Sequence, residues 1–156
     1  MIKIFKKGFT LIELLVVITI IGILTAVVTT NLSGARARAR DTRRKSDLRS
    51  IEQALRLYYN DTKSFPTSDG SGNFTLAAWG SPFTVGSTVY MSSLPLDPSG
   101  NGATYKYVRI SADSYLLVSS LENLSDPDIA ESQARCITAL GSYVETVTTD
   151  YVVCVQ

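Results

Sequence analysis

Hydrophobic and polar positions divide the chain into an apolar start and a patterned remainder. The twenty residues from Phe9 to Val28 contain one charged side chain, that of Glu13. About 20 apolar residues are enough for a helix to span the hydrocarbon core of a bilayer. The pattern therefore predicts a short basic leader at residues 1–8 and a transmembrane helix at residues 9–35.

Beyond residue 35 the helix is expected to continue as an amphipathic segment at residues 36–62. Leu48, Ile51, Leu55 and Tyr58 recur at helical spacing and form one apolar stripe. The charged residues placed largely off this stripe are Arg44, Asp47, Glu52 and Arg56. Asn-Asp at residues 60–61 and Phe-Pro at 65–66 end the helix, which over residues 9–60 would be about 78 Å long.

Residues 63–156 are predicted to form a globular head. The first part, residues 64–103, is rich in Ser, Gly, Thr and Pro and is interpreted as an ordered loop region with short elements. Alternating residues then predict a β-hairpin with strands Thr104–Ile110 and Tyr115–Leu121, and a last strand at Tyr151–Val155. The elements together predict an α+β fold, in which a long N-terminal helix packs on a small antiparallel β-sheet.

Glu13 is costly in an apolar segment and is therefore expected to have a function. An acid at the bilayer centre is penalised by about 2.5 to 3.5 kcal/mol on insertion scales, and the segment contains no lysine or arginine to pair with it. Cleavage after Gly8 would free the α-amino group of Phe9, which has a reference pKa near 8 and is mostly cationic. The amine of the same chain, or that of a neighbouring subunit, would then neutralise Glu13.

The run from Lys6 to Leu14 closely resembles the processing site of type IV pilins and type II secretion pseudopilins. The resemblance implies that a prepilin peptidase cuts after Gly8 and N-methylates Phe9, and that Glu13 sets the register between subunits. It also implies a lollipop-shaped pilin fold. Family members usually carry a proline where this chain has Thr30, so melting of the helix in a filament is left open.

The resemblance also sets the expected function, partners and location. The main expectation is a type IV pilin that polymerises into a filament, and the alternative is a pseudopilin that forms a periplasmic piston. A membrane-anchored ligand- or DNA-binding module is an alternative of another class. Expected partners are other copies of the chain, the prepilin peptidase, a pilus or secretion assembly platform and, before assembly, membrane lipid. The chain would cross the inner membrane once, with its C-terminal domain outside the cytoplasm, and then enter an extracellular or periplasmic filament.

Cys136 and Cys154 are the only cysteines, so one intramolecular pairing exists. An exported domain favours a disulfide, which would stabilise the fold by about 3 kcal/mol in the chain-entropy model. Two free thiols are the alternative. By resemblance, a disulfide-closed C-terminal loop is typical of true type IV pilins.

Charge is distributed unevenly although the net charge is +1. Residues 36–49 contain seven bases and two acids, whereas residues 110–156 contain seven acids and one base, Arg135. The basic block is interpreted in three ways. It is a solvated face that meets anionic lipid headgroups, a contact with the acidic half of another subunit, or a DNA-binding surface.

Major pseudopilins often carry a calcium site in the loop after the hairpin, and by this resemblance four oxygen-bearing residues are candidate ligands. These are Glu122, Asn123, Asp126 and Asp128. The glycine-rich part of the family's calcium loop is missing here, so a solvated acidic turn is the alternative. The chain has no histidine and no evident catalytic constellation or phosphate loop, so we expect neither an enzyme nor a further cofactor.

Overall fold

The structure is a computed structural model that describes residues 8–100, 105–136 and 150–155, without the side chains of residues 27 and 29–31. It divides into two compact units, Met1–Arg36 and Ala37–Gln156. The leader residues 1–7, the predicted strand residue Thr104 and residues 137–149 lie outside the described residues.

Helix α1, Leu11–Thr62, contributes to both units. Lys63 follows it with φ 56°, and its N–H bonds to the carbonyl oxygen of Tyr59 at 2.8 Å, so the helix ends in a left-handed cap. In the single chain α1 is continuous past Thr30. Melting in an assembled filament therefore stays a prediction.

In the first unit, α1 presents large apolar side chains to the outside. Phe9 is 77% exposed and Ile23 is 67% exposed. The others are Leu11, Ile12, Leu14, Leu15, Val16, Val17, Ile18, Ile20, Ile21, Leu24, Val28 and Leu32. Within the part of the chain that the structure describes, no helix has the length and hydropathy needed to cross a membrane.

In the second unit, α1 packs its apolar stripe into the core, as predicted. Leu48, Ile51 and Leu55 are fully buried, and Tyr58 packs against the same cluster. The prediction that Arg44 lies off the stripe is wrong, because Asp41 and Arg44 continue it at the same spacing of three and four residues and are both buried.

Two antiparallel sheets complete the second unit. Strands β1, Phe83–Val85, and β2, Thr88–Met91, form a hairpin within the predicted loop region. Strands β3, Lys106–Arg109, β4, Tyr115–Ser120, and β5, Asp150–Val155, form a sheet in the order β3-β4-β5. Arg109 pairs with Tyr115 and Ser120 with Asp150, so the predicted hairpin and last strand are confirmed.

Side chains on both faces of the three-stranded sheet are buried. Tyr107, Tyr115 and Leu117 lie in the cluster that contains the α1 stripe, whereas Leu116 and Val152 lie in a second cluster. The alternation along each strand separates the two sets. The described residues therefore form the predicted α+β fold, with a long N-terminal helix and small antiparallel sheets.

Helix α2, Pro127–Arg135, runs beside the edge strand β5. The backbone N–H of Val152 donates to Ser132 Oγ at 3.2 Å, and Gln133 Nε2 donates to the carbonyl oxygen of Asp150 at 3.0 Å. A disulfide between Cys136 and Cys154, with a Cα–Cα distance of 5.8 Å, joins the end of α2 to β5. The helix therefore covers part of an otherwise open sheet edge.

Candidate functional site

The first candidate site is the segment around Glu13 at the start of α1. Thr10 precedes the first helical residue, and its backbone N–H and hydroxyl donate to Glu13 Oε2 at 2.8 and 2.7 Å. The N–H of Glu13 donates back to Thr10 Oγ1 at 3.3 Å. This is a capping box, in which a Thr and a Glu three residues later satisfy the free N–H groups of a helix start.

The carboxylate of Glu13 therefore has a partner in the single chain that the sequence analysis did not consider. The signal was present, because the run Thr-Leu-Ile-Glu at residues 10–13 has the spacing of a capping box before an apolar segment. The hydroxyl of Thr10, and not a cation, is therefore the partner of Glu13 in the single chain.

An apolar groove of about 340 Å³ lies beside this carboxylate, lined by Phe9, Ile12, Glu13, Val16 and Val17. These positions have helical spacing and share one face of α1. Its apolar lining is largely exposed in the single chain, with Phe9 77% and Val17 46% exposed, so a cation would lose water here only when a second molecule covers the groove. The groove is thus suited to an amine attached to an apolar side chain.

The junction between Gly8 and Phe9 is open. Both residues are exposed, and a Cβ added at Gly8 would meet nothing within 4 Å. The fold of the single chain therefore does not require glycine at this position. A requirement for glycine would have to come from another molecule that contacts the junction.

The second candidate site is a group of charges in the second unit, which we call the ionic cluster. It consists of Arg40, Asp41, Arg44, Lys45, Asp97, Glu122, Asp126 and Asp128. It joins α1 to the loop before β3, to the turn after β4 and to the start of α2.

Arg44 is the centre of the ionic cluster and is 3% exposed. Its guanidinium forms two bonds with Asp97, from Nε to Oδ2 at 2.7 Å and from Nη2 to Oδ1 at 2.9 Å. Nη1 donates to Asp41 Oδ1 at 2.7 Å and to Glu122 Oε1 at 2.9 Å. Such bidentate, charge-assisted bonds compensate for the lost hydration of a buried cation.

Two carboxyl groups of the ionic cluster have lowered pKa values. For Asp97 burial acts in the opposite direction, but hydrogen bonds from Arg44 and Ser99 lower the pKa to about 2. For Glu122 the hydrogen bond from Arg40 is the largest effect, and with the bond from Arg44 it lowers the pKa to about 2. Both groups are therefore ionised at neutral pH.

Asp41 uses its carboxylate to hold the turn after β4. Its Oδ1 accepts the backbone N–H of Glu122 at 3.0 Å, and its Oδ2 accepts that of Asn123 at 2.9 Å. With the bond from Arg44, the buried carboxylate of Asp41 has three donors. A buried charge with this many partners avoids most of its desolvation penalty.

Lys45 holds the start of α2. Its Nζ lies 2.7 Å from both carboxylate oxygens of Asp126 and 2.8 Å from Asp128 Oδ2. Asp126 is also the N-cap of α2, because its Oδ1 accepts the N–H of Asp128 at 3.0 Å. The same ammonium lies 5.6 Å from the ring centre of Tyr151, where a cation–π attraction adds to the ion pairs.

Three of the four predicted calcium candidates are paired with cations of the chain itself. Glu122 is paired with Arg40 and Arg44, and Asp126 and Asp128 are paired with Lys45. Within residues 8–100, 105–136 and 150–155, no group of three or more Asp, Glu, His or Cys side chains is arranged to hold a metal ion. The sequence analysis missed the cations because they lie about 80 residues earlier, on α1.

The expected contact between the basic block and an acidic half is found inside one chain. Arg40, Arg44 and Lys45 pair with acids of the loop before β3 and of the segment 122–128. The remaining arginines of the block are exposed, namely Arg36, Arg38, Arg43 and Arg49. Contacts with lipid headgroups or with another molecule would therefore have to use these four side chains.

Two family profiles match the chain. The prokaryotic N-terminal methylation motif matches residues 5–29, and type II secretion system (T2SS), protein G, matches residues 31–127. The type II secretion system core protein G of Aeromonas hydrophila is 38% identical over 100 residues, which are 62% of this chain and 69% of that protein. The core protein G of Escherichia coli (strain K12) is 36% identical over 99 residues, 62% of this chain and 68% of that protein. That of Pseudomonas aeruginosa is 35% identical over 103 residues, 64% of this chain and 72% of that protein. No solved structure gives a significant match.

Proposed function

Because the chain belongs to the type II secretion system protein G family, we propose that it is a pseudopilin, a structural subunit that polymerises into the pseudopilus of such a system. The observation that carries this proposal is the segment Gly8–Glu13, where an exposed junction precedes a carboxylate in an apolar groove. The matched relatives are named core proteins of a secretion system, which supports the pseudopilin alternative better than the type IV pilin that the sequence analysis placed first. The role is that of a structural subunit and not of an enzyme.

The first step of the proposed function is processing. A prepilin peptidase cuts after Gly8, removes the leader at residues 1–8 and methylates the new amine of Phe9. The open space around Gly8 supports this step, because a peptidase can reach the junction and can itself impose the choice of glycine. The match of the N-terminal methylation motif to residues 5–29 supports it as well.

In the second step, the carboxylate of Glu13 exchanges one bonding partner for another. In the single chain the carboxylate is bonded to Thr10. In the polymer, the Phe9 amine of a neighbouring copy enters the groove and pairs with Glu13. Since a misplaced subunit leaves a carboxylate without a cation in an apolar core, this pairing sets the axial register of the subunits.

The third step moves the apolar part of α1 from lipid to protein. Residues 9–35 first anchor the chain in the inner membrane, with the leader inside and the head in the periplasm, and then form the core of the pseudopilus with other copies. The exposed apolar side chains from Phe9 to Leu32 support this step, because such a surface requires an apolar environment. Residues 36–62 and 63–156 then remain outside the core as the amphipathic half of the helix and the head.

A surface type IV pilus is the second candidate function, and the Cys136–Cys154 disulfide favours it, because the resemblance associates a disulfide-closed C-terminal loop with true pilins. The assembly steps are the same for both filaments. DNA binding would have to use the exposed arginines of residues 36–49, and no further contact of the described residues favours it.

The experiment that tests the proposal compares filaments from wild type, Glu13→Leu and the matched groove variant Ile12→Leu. Each is expressed in cells that lack their own protein G, and fibres, secretion and the mass of the mature N-terminus are recorded. We expect a methylated Phe9 in all three, but fibres and secretion only from wild type and Ile12→Leu. Normal fibres from Glu13→Leu would contradict the role of Glu13, and fibres on the cell surface without any effect on secretion would favour the pilus.

A further inference from the structure

The ammonium group of Lys45 lies among carboxylate oxygen atoms at the start of α2. Three carboxylate oxygens of Asp126 and Asp128 lie within 2.8 Å of Nζ. The side chains of Lys45 and Asp126 are only 15% and 16% exposed, whereas that of Asp128 is 44% exposed. Oxygen atoms of carboxylates are also the ligands that Ca²⁺ prefers. The carboxylates of Asp126 and Asp128 therefore need a cation nearby, and Lys45 of α1 provides it.

The backbone of the neighbouring turn, at Glu122 and Asn123, does not favour binding of a metal ion. The backbone N–H groups of Glu122 and Asn123 both point at the carboxylate of Asp41. Calcium sites in loops instead use carbonyl oxygens that point inwards. The side chain of Glu122, the remaining strong ligand, is held by Arg40 and Arg44. A metal ion here would have to displace two guanidinium groups.

We infer that the turn at residues 121–126 and the start of α2 are held by the chain's own cations, Lys45 and Arg44, and that this region folds without calcium. The family resemblance implies a calcium ion in the loop after the hairpin, and the donors of this chain do not fit one. The inference concerns the folded head and does not depend on the proposed function.

The two ends of α2 are then fixed in different ways. Its start is fixed by Lys45 through Asp126 and Asp128, and its end by the disulfide from Cys136 to β5. A disulfide restricts the unfolded chain, whereas a calcium ion would stabilise the head only by binding the folded loop. Because Lys45 and the disulfide already hold the two ends of α2, we expect folding of the head not to depend on the calcium concentration.

The first test measures calcium dependence in the full-length protein in detergent micelles. Thermal unfolding is followed by near-UV circular dichroism with excess chelator and with excess calcium chloride. A site that is saturated at about 100 times its Kd would raise Tm by roughly 5 to 10 °C. We expect the same Tm in both conditions, and a rise of that size on addition of calcium would overturn the inference.

The second test removes the internal cation. Lys45→Met is expected to lower Tm by several degrees in both conditions, whereas the matched control Lys106→Met, at an exposed position on β3, keeps the wild-type Tm. Lys45→Arg restores a cation and is expected to recover part of the loss. An unchanged Tm in Lys45→Met would overturn the inference, because the carboxylates would then not need Lys45.

A third variant keeps the test decisive if Lys45→Met does not fold. Asp128→Asn removes one of the three charged contacts at a side chain that is 44% exposed, so we expect a smaller decrease in Tm that chelator does not change. A decrease that calcium chloride reverses would contradict the inference. A decrease that calcium chloride leaves unchanged would support it.

Discussion

In the first unit the one carboxylate between Phe9 and Val28 is bonded to a threonine three residues away, whereas in the second unit Arg44 is bonded to carboxylates 53 and 78 residues away. The first arrangement is local and exposed, and the second is long-range and buried. A local cap can open without disturbing the rest of the chain, but a long-range buried pair opens only when the packed elements separate. Glu13 is therefore available for exchange with another molecule, while the charges of the ionic cluster hold the fold of a single chain.

The largest expected loss of stability follows from replacing Arg44, the centre of the ionic cluster. Arg44→Leu leaves the buried carboxylates of Asp41 and Asp97 without their cation, and breaking one side of a buried ion pair costs about 3 to 5 kcal/mol. Urea unfolding of the full-length protein in detergent measures the loss.

The matched control for this variant is Arg43→Leu. The side chain of Arg43 is 70% exposed and reaches Asp47 only at 4.0 Å, so its loss is expected to change the free energy of unfolding by less than about 0.5 kcal/mol. Equal losses from the two variants would show that the ionic cluster contributes no more than an exposed arginine.

The disulfide gives the next largest expected effect. Cys136→Ala together with Cys154→Ala opens a loop with a sequence separation of 18 residues, which the chain-entropy model values at about 3 kcal/mol. The same urea titration measures this loss, and reduction of the wild type is expected to reproduce it. If reductant leaves the unfolding midpoint of the wild type unchanged, the disulfide does not contribute to holding α2 in the fold.

Acid is expected to weaken the second unit through Asp97. Its pKa is about 2 in the fold, against an ordinary value of about 3.9, so the folded state binds fewer protons than the unfolded state between these values. The stabilisation is complete above about pH 4 and is lost as the pH falls through about 2, by on the order of 2 kcal/mol. Unfolding free energies between pH 6 and pH 2 measure it.

The variant Arg44→Leu provides the comparison for the acid effect. It removes the largest source of the lowered pKa of Asp97, so its stability should fall less steeply with acid than that of the wild type. Parallel pH curves for the two proteins would mean that the acid sensitivity arises elsewhere in the chain.

Sequence periodicity predicted those parts of the fold that rest on local patterns. Leu48, Ile51 and Leu55 repeat at helical spacing, and Tyr115 to Leu121 form a run typical of a strand, so each element carried its own signal. The hairpin of β1 and β2 carried a weaker sequence signal, because its strands have only three and four residues. Gly86, in the turn between them, has a φ of 61°. The sequence signal that was available is the two-residue Gly-Ser at residues 86–87 between two short β-prone runs.

The ionic cluster could not be predicted in the same way. Arg44 falls on the apolar stripe, where a charged residue contradicts the pattern unless it has a buried partner. That partner, Asp97, lies in a loop whose path depends on the folded sheets. Glu122 and Asp126 were only candidate calcium ligands or part of a solvated acidic turn, and the sequence does not show that Arg44 and Lys45 approach them. Long-range charge pairing therefore became visible only once the chain was folded.

The smallest expected effect lies in the first unit and tests the comparison most directly. Thr10→Val removes the hydroxyl that bonds to Glu13 and so weakens the start of α1, where loss of a cap costs about 1 kcal/mol. Hydrogen exchange in the first turn of α1 should accelerate severalfold, while the urea midpoint of the second unit stays unchanged. Thr19→Val is the matched control, because the hydroxyl of Thr19 donates to carbonyl oxygens inside the helix and caps nothing. If Thr10→Val lowered the urea midpoint as much as Arg44→Leu, the local cap would be part of the cooperative fold, and Glu13 would not be free to change partners.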